Sequence, residues 1–193
     1  GSQTFNIRPD IMTIAKGLSS GYQPIGGSIV SDEIAQVIGS EEFTHGYTYS
    51  SHPVAAAVAC ENLRILEEEA IVDTVRDFTG PYLKAKWESL EDHPLVGEAK
   101  MVGLMGSLAL SPGKKSRAPF KVKEGTVGVM CRQHCFNNHL IMRAVGDRMI
   151  ISPPLIISKG EIDLLIDRTV FSLDACYAEV KTKGFLEAAE PNS

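Results

Sequence analysis

Near the start of the chain, apolar residues form short runs separated by turn-forming residues. The stretch "DIMTIAKGL" contains one such run, and the turn-rich segment "SSGYQPIGGSIV" after it ends in a second extended run at Gly27 to Val30. The next stretch, "SDEIAQVIG", has helical spacing, with Ser31 or Asp32 suited to cap its start and Gly39 to end it. This pattern predicts two short strands followed by a short helix.

The pattern then predicts two helices after a polar loop, "THGYTYSSHP". Pro53 suits the first position of a long helix, "PVAAAVACENLRILEEE". A second helix is predicted over 71–91, with a break at Gly80 and Pro81. Its apolar positions at helical spacing are Ile71, Val75, Phe78, Leu83 and Trp87.

Strands and helices are mixed in the second half of the chain. "VGEAKMVGLMGSLALS" predicts two strands broken at Gly103, and a helix follows at about 126–138. Two further strands are expected at 140–143 and 148–152, with a turn at "AVGD" between them. This succession indicates an α/β or α+β C-terminal domain.

The last helix has its own start signal. Ser158 and Glu161 form an S-x-x-E capping box, and the helix is expected to continue to about Lys183. Its predicted inner side consists of Ile162, Leu165, Ile166, Thr169, Val170, Leu173, Tyr177 and Val180.

Composition excludes several classes of protein. With 193 residues, 44% hydrophobic and 22% charged, the chain is typical of a soluble globular protein. It contains no apolar stretch of the roughly 18 residues that a membrane helix needs, and "GSQTFNIRPD" lacks the features of a signal peptide, so the cytoplasm is expected. A net charge of −5 argues against nucleic acid binding, and the basic cluster "GKKSRAPFKVK" at 113–123 is interpreted as a solvated loop.

The four cysteines do not form the dense pattern of a small disulfide-stabilised domain, so reduced thiols are expected. Cys131, Cys135 and His139 recur every four residues, which on a helix would place them on one face as metal ligands could be placed. The alternative, which we favour, is that the cysteines are small buried apolar residues, because no fourth ligand is evident.

Three segments carry a family resemblance: "PDIMTIAKGLSSGYQPIGG", "HGYTYSSHPVAAAVA" and "NNHLIMRAVGDRMIISPPLIISKGEID". Together, in this order, they resemble the class III (omega) aminotransferases, which depend on pyridoxal 5'-phosphate (PLP) and have fold type I. The amine or polyamine:pyruvate transaminases are the most similar group.

The resemblance implies an α/β architecture in three parts. Residues 1–52 would be the end of the PLP-binding large domain, 53–91 connecting helices, and 92–193 a complete α/β (α+β) C-terminal small domain. Family members are more than twice as long, so the chain is expected to be the C-terminal part of such an enzyme.

Four site residues follow from the same resemblance. Lys16 would be the lysine that binds PLP covalently, a role that needs an unprotonated amine. Thr48 would bind the PLP phosphate of the neighbouring subunit in a homodimer or larger assembly, and Tyr47 would border that site. Arg143 would bind a substrate carboxylate, for which a guanidinium offers two parallel N–H groups.

The implied reaction moves an amino group from an amine or ω-amino acid donor to pyruvate or a similar keto acid. Two alternatives stay open. The chain could be a catalytically idle fragment that serves as an interaction or dimerisation module, because the family's phosphate loop, ring-stacking aromatic residue and pyridine-binding aspartate would precede Gly1. A thiol or metal protein using Cys131, Cys135 and His139 is the third possibility.

Overall fold

The computed structural model describes residues 1–113 and 118–187. The chain consists of two compact units, Gly1–Ala70 and Ile71–Ser193. Residues 114–117 of the basic cluster lie outside the described residues, and the three-part division of the sequence stays a prediction. Within the described part, no helix has the length and apolar character that crossing a membrane requires.

The first unit consists of short helices, one long helix and a two-stranded antiparallel hairpin. Its elements are α1 (Ser2–Phe5), β1 (Ile11–Ile14), β2 (Gly27–Val30), α2 (Asp32–Gly39) and α3 (Pro53–Glu68). The two predicted strands are confirmed, and they pair from Ile11 opposite Val30 to Ile14 opposite Gly27. The hairpin thereby brings together the two ends of the segment between its strands, which contains Lys16.

Helix α3 begins as the sequence predicts. Pro53 occupies its first turn, and the Nδ1 atom of His52 accepts a 3.4 Å hydrogen bond from the backbone N–H of Ala55. Such a cap satisfies one of the N–H groups that the first turn of a helix leaves without an intrahelical partner. The side chains of Ala55 and Ala59 are buried, so one side of α3 faces the interior of the first unit.

The second unit packs helices against a four-stranded antiparallel sheet. Its elements are α4 (Ile71–Thr74), a π-helical turn (Val75–Thr79), α5 (Gly80–Ser89), β3 (Val96–Val102), β4 (Met105–Leu110), α6 (Thr126–Asn137), β5 (Arg143–Val145), β6 (Arg148–Ile151) and α7 (Lys159–Thr182). The strand order is β3-β4-β6-β5. Fully buried side chains of the core include Leu83, Trp87, Leu108, Met149, Ile162 and Leu173. Helices and sheet together confirm the predicted class.

The predicted break at Gly80 and Pro81 is wrong. The chain continues from α4 through the π-helical turn into α5, so Pro81 lies in the first turn of α5 and requires no interruption. A π-helical turn holds one more residue than an α-helical turn, which shifts the helical phase of the residues beyond it. Phe78, one of the apolar positions at helical spacing, lies within this turn and is 65% exposed.

The strand predicted at 140–143 begins later, at Arg143, and continues through two residues that the sequence analysis assigned to a turn. The actual turn consists of Gly146 and Asp147, because Val145 pairs with Arg148. Gly146 has a φ of +55°, a conformation that glycine adopts without steric cost. The hairpin of β5 and β6 is therefore tight, and Arg143 is the first residue of its edge strand.

Asp147 connects this hairpin to the start of α6. Its carboxylate accepts hydrogen bonds from the backbone N–H groups of Gly125, at 3.1 Å, and Gly128, at 2.8 Å. The approach is close, since a Cβ atom on Gly128 would lie 2.1 Å from the carbonyl oxygen of Gly146. Helix α6 and the β5–β6 turn are thus held together by charge-assisted hydrogen bonds and by a glycine contact.

Helix α7 begins with the predicted capping box, in which Ser158 and Glu161 satisfy each other's backbone N–H groups. Its inner side differs from the prediction at Val170, which is 39% exposed. Ser172 and Cys176 are buried instead, and the Ser172 hydroxyl donates to the carbonyl of Arg168 within the helix. A polar side chain that bonds back to its own helix can be buried without another partner.

Candidate functional site

Lys16 lies directly after β1, in a 3₁₀ turn that spans Lys16–Leu18. Its side chain is exposed, and its φ of +51° places it in the left-handed region. For a residue other than glycine this conformation costs about 1–3 kcal/mol, so the surrounding structure has to hold it. The sequence analysis singled out this lysine but could not have foreseen its backbone conformation.

The loop after the lysine contains further left-handed residues. Ser20 has a φ of +49° and Gly21 a φ of +80°. The buried side chain of Ser19 stabilises this part, since its hydroxyl donates a 2.6 Å hydrogen bond to the carbonyl of Gln23. Among the glycines of the segment, Gly21 is the one that the backbone conformation requires.

Asn62 on α3 makes three hydrogen bonds to the same loop. Its Nδ2 atom donates to the carbonyl oxygens of Gly17, at 3.0 Å, and Leu18, at 3.1 Å. Its Oδ1 atom accepts a 2.7 Å hydrogen bond from the hydroxyl of Ser20. One amide side chain therefore holds three of the four residues that follow Lys16.

Asn62 is not among the residues that the sequence singled out, although the chain carries a signal for it. Ala55 and Ala59 define the inner side of α3, and continuing their helical spacing leads to positions 62 and 66. Asn62 is a short amide at a position where the neighbouring spacing predicts an apolar residue. A polar side chain at such a place needs hydrogen-bond partners, and here Gly17, Leu18 and Ser20 provide them.

Thr48 and Tyr47 lie in a turn ahead of α3. The backbone N–H of Ser50 donates to the carbonyl of Tyr47 at 2.9 Å, and the backbone N–H of Tyr47 donates to the Ser50 hydroxyl at 3.1 Å. These two bonds close the turn around Thr48. The hydroxyl of Thr48 has no hydrogen-bond partner among the described residues, so it is available to an acceptor such as phosphate.

Tyr47 lines two neighbouring cavities of the first unit, with volumes of about 460 and 640 Å³. Gly26 lines both as well, and a Cβ atom on Gly26 would lie 3.7 Å from the Cβ of Ala15, the residue before Lys16. Gly26 therefore shares both cavities with Tyr47 and also lies beside Ala15, which leads into Lys16. The side chain of Tyr47 is 74% exposed.

The residues present fit the chemistry of PLP. Lys16 offers a primary amine that forms no ion pair with residues 1–113 or 118–187, and an amine without a carboxylate partner is suited to bind an aldehyde. The Thr48 hydroxyl precedes the start of α3, and hydroxyl groups near helix starts are suited to bind phosphate. Both groups belong to the first unit.

Arg143 belongs to the second unit, where it begins the edge strand β5 opposite Ile150. Its side chain is exposed and forms no ion pair within the described part of the chain. A guanidinium that is not neutralised by a protein carboxylate is available to a carboxylate from outside. The sheet defines its position through the pairing of β5 with β6.

The structure separates the three residues of the possible metal site. Helix α6 ends at Asn137, so His139 lies beyond it, exposed and with a φ of +54°. Cys131 and Cys135 are buried on the helix itself. Hydrogen bonds with the thiols of Cys135 and Cys176, together with burial, raise the pKa of Cys131. No group of three or more His, Cys, Asp or Glu side chains in the described residues is arranged to hold a metal ion.

Comparison with known proteins decides the family. Residues 1–172 match the family model described as aminotransferase class-III. The chain belongs to the class III aminotransferases. The match covers the segments that contain Lys16, Thr48 and Arg143.

Curated relatives of this class III aminotransferase chain include a putrescine–pyruvate aminotransferase of Pseudomonas aeruginosa, 56% identical over 181 residues. That alignment covers 93% of the chain and 39% of the relative. A chloroplastic gamma-aminobutyrate transaminase 3 of Solanum lycopersicum is 38% identical over 171 residues, covering 86% of the chain and 32% of the relative. The chain therefore spans about a third to two fifths of the length of these relatives.

Solved structures agree with the family assignment. A transaminase with L-alanine superposes with a TM-score of 0.86 at 36% identity, covering 93% of this chain and 43% of that one. An omega transaminase from Pseudomonas jessenii in complex with PMP gives a TM-score of 0.84 at 37% identity, covering 93% of this chain and 40% of that one. Likeness at this level of identity supports a common fold and family.

Proposed function

We propose that this chain is part of a PLP-dependent transaminase that moves an amino group from an amine, a diamine or an ω-amino acid to pyruvate or a similar keto acid. The observation that carries the proposal is the 56% identity, over 93% of the chain, to a putrescine–pyruvate aminotransferase. The exposed and unpaired amine of Lys16 provides independent support from the structure.

Lys16 is proposed to hold the cofactor and to move protons. Its Nζ atom would hold PLP through the aldehyde carbon. Once the substrate amine has replaced it there, the free Lys16 amine would carry a proton from the substrate carbon, as general base, to the former aldehyde carbon, as general acid. PLP, when bound, supplies an acceptor for the electrons released at that carbon. The Lys16 amine is accessible and forms no ion pair with a described residue, which supports this assignment.

Thr48 and Tyr47 are proposed to contribute to the PLP site of a neighbouring subunit. Thr48 would donate its hydroxyl to the phosphate, and Tyr47 would border the same site. The unpartnered Thr48 hydroxyl and the exposed Tyr47 ring support this assignment, since both present their contact groups outward from the first unit. A homodimer or larger assembly is therefore part of the proposal.

Arg143 is proposed to bind the carboxylate of the keto acid through two parallel N–H groups. The same side chain would leave the site when a plain amine or a diamine binds, because such a donor offers no α-carboxylate. Its exposed position at the start of an edge strand supports the proposal, since neither burial nor an ion pair with a described residue holds the side chain in place.

We also propose the cytoplasm as the compartment of this enzyme. The four cysteines are free thiols in the structure, which suits a reducing environment.

The test is direct. The complete enzyme is incubated with PLP, pyruvate and putrescine, γ-aminobutyrate or an arylalkylamine, and the alanine formed is quantified. The proposal expects alanine from at least one of these donors with the wild-type enzyme and none above background with Lys16→Ala. Lys16→Arg is the matched control for charge, and it should also be inactive because a guanidinium does not bind the aldehyde. A wild-type enzyme that forms no alanine with any donor would refute the proposal.

A further inference from the structure

We propose that Asn62 is a positioning residue for Lys16, which fixes the backbone of the lysine loop so that the lysine amine is held where it reacts. We define the lysine loop as residues 16–21. The inference rests on the proposed function, because it concerns the same PLP-binding lysine. It adds a residue on α3 to which the family resemblance assigned no role.

The hydrogen bonds of Asn62 are arranged as a clamp. Both N–H groups of its amide are directed at carbonyl oxygens of Gly17 and Leu18, 3.0 and 3.1 Å away, and its oxygen accepts from Ser20 at 2.7 Å. The partners are 42 to 45 residues from Asn62 along the chain, so the contact is tertiary. The first two bonds hold the 17–18 and 18–19 peptide groups, one residue beyond Lys16, and thereby restrict the backbone from which its side chain leaves.

The lysine loop needs such support. Lys16, Ser20 and Gly21 all have positive φ values, and two of them are residues for which this conformation is costly. The local turn bonds are long, with the N–H of Leu18 donating to Ala15 and that of Ser19 to Lys16 at 3.2 Å each. An unsupported loop of this kind would populate other conformations, in which the Lys16 side chain would leave the backbone in other directions.

Substitutions at position 62 separate a clamp from simple packing. Asn62→Asp keeps the shape of the side chain and the acceptor for Ser20, but it places a carboxylate oxygen against the carbonyls of Gly17 and Leu18. Asn62→Ala removes the amide without adding repulsion. If the hydrogen bonds order the loop, the aspartate variant binds less PLP on Lys16 and has a lower kcat than the alanine variant. If only packing matters, the aspartate variant has the higher values of the two.

Two further variants complete the set. Ser20→Ala removes one of the three hydrogen bonds and leaves α3 intact, so it tests the clamp even if both Asn62 variants fold poorly. Arg64→Gln changes an exposed residue of the same helix, whose ion pairs are with Glu61 and Glu68 and not with the lysine loop. It is the matched control for substitution on α3.

The experiment uses the complete enzyme and three measurements. Hydrogen–deuterium exchange of the amides at 16–22, without PLP, reports the order of the loop. Borohydride reduction after addition of PLP, followed by peptide mass spectrometry, reports the fraction of cofactor bound covalently to Lys16. Steady-state kinetics with putrescine and pyruvate separate kcat from KM.

We expect faster exchange at 16–22 and a lower fraction of PLP on Lys16 in Asn62→Ala, with larger effects in Asn62→Asp and smaller ones in Ser20→Ala. The kcat value should fall about tenfold to hundredfold in Asn62→Ala, while KM changes much less, because a misplaced reacting group affects the chemical step. The aspartate variant should recover relative to wild type as the pH falls, since a protonated carboxyl can donate one of the lost bonds. Arg64→Gln should match the wild type in exchange at 16–22, in PLP labelling of Lys16 and in kcat.

The clamp would be overturned by unchanged hydrogen–deuterium exchange at 16–22 in the Asn62 variants. It would also be overturned by an aspartate variant with more PLP on Lys16 and a higher kcat than the alanine variant. Faster exchange with unchanged labelling of Lys16 and unchanged kcat would show that the clamp does not position the lysine, which also overturns the proposal. A third outcome separates the two proposals. If PLP labels Lys16 in the wild type and less so in the Asn62 variants, but the wild type transfers no amino group, the proposed function is refuted and the positioning role is supported.

Discussion

The carboxylate of Asp147 accepts a 2.8 Å hydrogen bond from the backbone N–H of Gly128. Asp147 lies in the turn of the hairpin that begins with Arg143, and Gly128 lies in the first turn of α6. Because the carboxylate also accepts from Gly125, a single side chain anchors the β5–β6 hairpin to the start of the helix. The substrate-binding arginine that we propose is therefore carried by an anchored element.

Asp147→Ala should destabilise the second unit by about 1–3 kcal/mol, because it leaves two backbone N–H groups without their charged acceptor. Urea unfolding followed by circular dichroism measures the change. Asp167→Ala, an exposed position on α7, is the control and should change stability by less than about 0.5 kcal/mol. Equal stability of the two variants would show that the hydrogen bonds of Asp147 contribute little.

Glycine-to-alanine changes at two helical positions should have opposite effects. Gly128→Ala should cost about 1–3 kcal/mol or more, because the added Cβ would lie 2.1 Å from the Gly146 carbonyl oxygen. Gly160→Ala, in the first turn of α7, meets no atom within 4 Å and should stabilise by about 0.4–1 kcal/mol by restricting the unfolded chain. Thermal unfolding of the two variants shows whether each substitution lowers or raises stability. A Gly128→Ala variant as stable as the wild type would contradict the close approach.

Glu179 should make the stability of the second unit depend on pH. Lys183 and then His134 hydrogen-bond its carboxylate and lower its pKa below the ordinary 4.5. Since the folded-state pKa is depressed, this contribution is complete above about pH 4.5 and is lost as the pH falls through the lower folded value. Its size should stay below about 1 kcal/mol, because solvent screens a partly exposed pair.

The difference in unfolding free energy between wild type and Glu179→Gln should therefore be constant near neutral pH and shrink below about pH 4.5. Urea titrations from pH 3 to pH 7 provide the measurement. Glu91→Gln, an exposed carboxyl of the same unit, serves as the control. A difference for Glu179→Gln that does not vary with pH would contradict the assignment.

Arg143→Lys and Arg143→Ala should weaken use of keto acids and α-amino acids more than use of diamines. Loss of a charge-assisted bidentate contact costs about 1.5–3 kcal/mol, which is about tenfold to hundredfold in kcat/KM for carboxylate substrates. Lysine keeps the charge and should recover little, since it lacks the paired geometry. Separate kcat/KM values for pyruvate and putrescine are the measurement, and equal losses for both would indicate a structural role.

Local signals predicted most element boundaries well, because the determinants are short-range. Pro53, the capping box at Ser158 and the break at Gly103 all act within a few residues, and the structure confirms each of them. Pro81 misled the sequence analysis because the proline lies in the first turn of α5, directly after a π-helical turn, where it interrupts nothing. The start of β5 was misplaced because pairing with β6, a tertiary property, defines it.

For the candidate site, the sequence named residues but not the contacts around them. Lys16 and Thr48 could be named from motifs because their neighbours along the chain carry the resemblance. Asn62 stands out in the sequence only as a polar residue at an inner position of α3, because the partners that give it a role lie more than 40 residues away. The sequence named the lysine that we propose as the reacting group, whereas the structure was needed to find the side chain that contacts its loop.

The left-handed backbone at Lys16 has a consequence for attempts to engineer heat-resistant variants. At a φ of +51°, glycine or asparagine would relieve the strain that lysine bears. A screen that rewards folding alone would therefore favour replacing the residue that we propose as the cofactor-binding lysine. Libraries built for thermostability should hold position 16 constant and seek their gains at sites such as Gly160, which has no role in the proposed reaction.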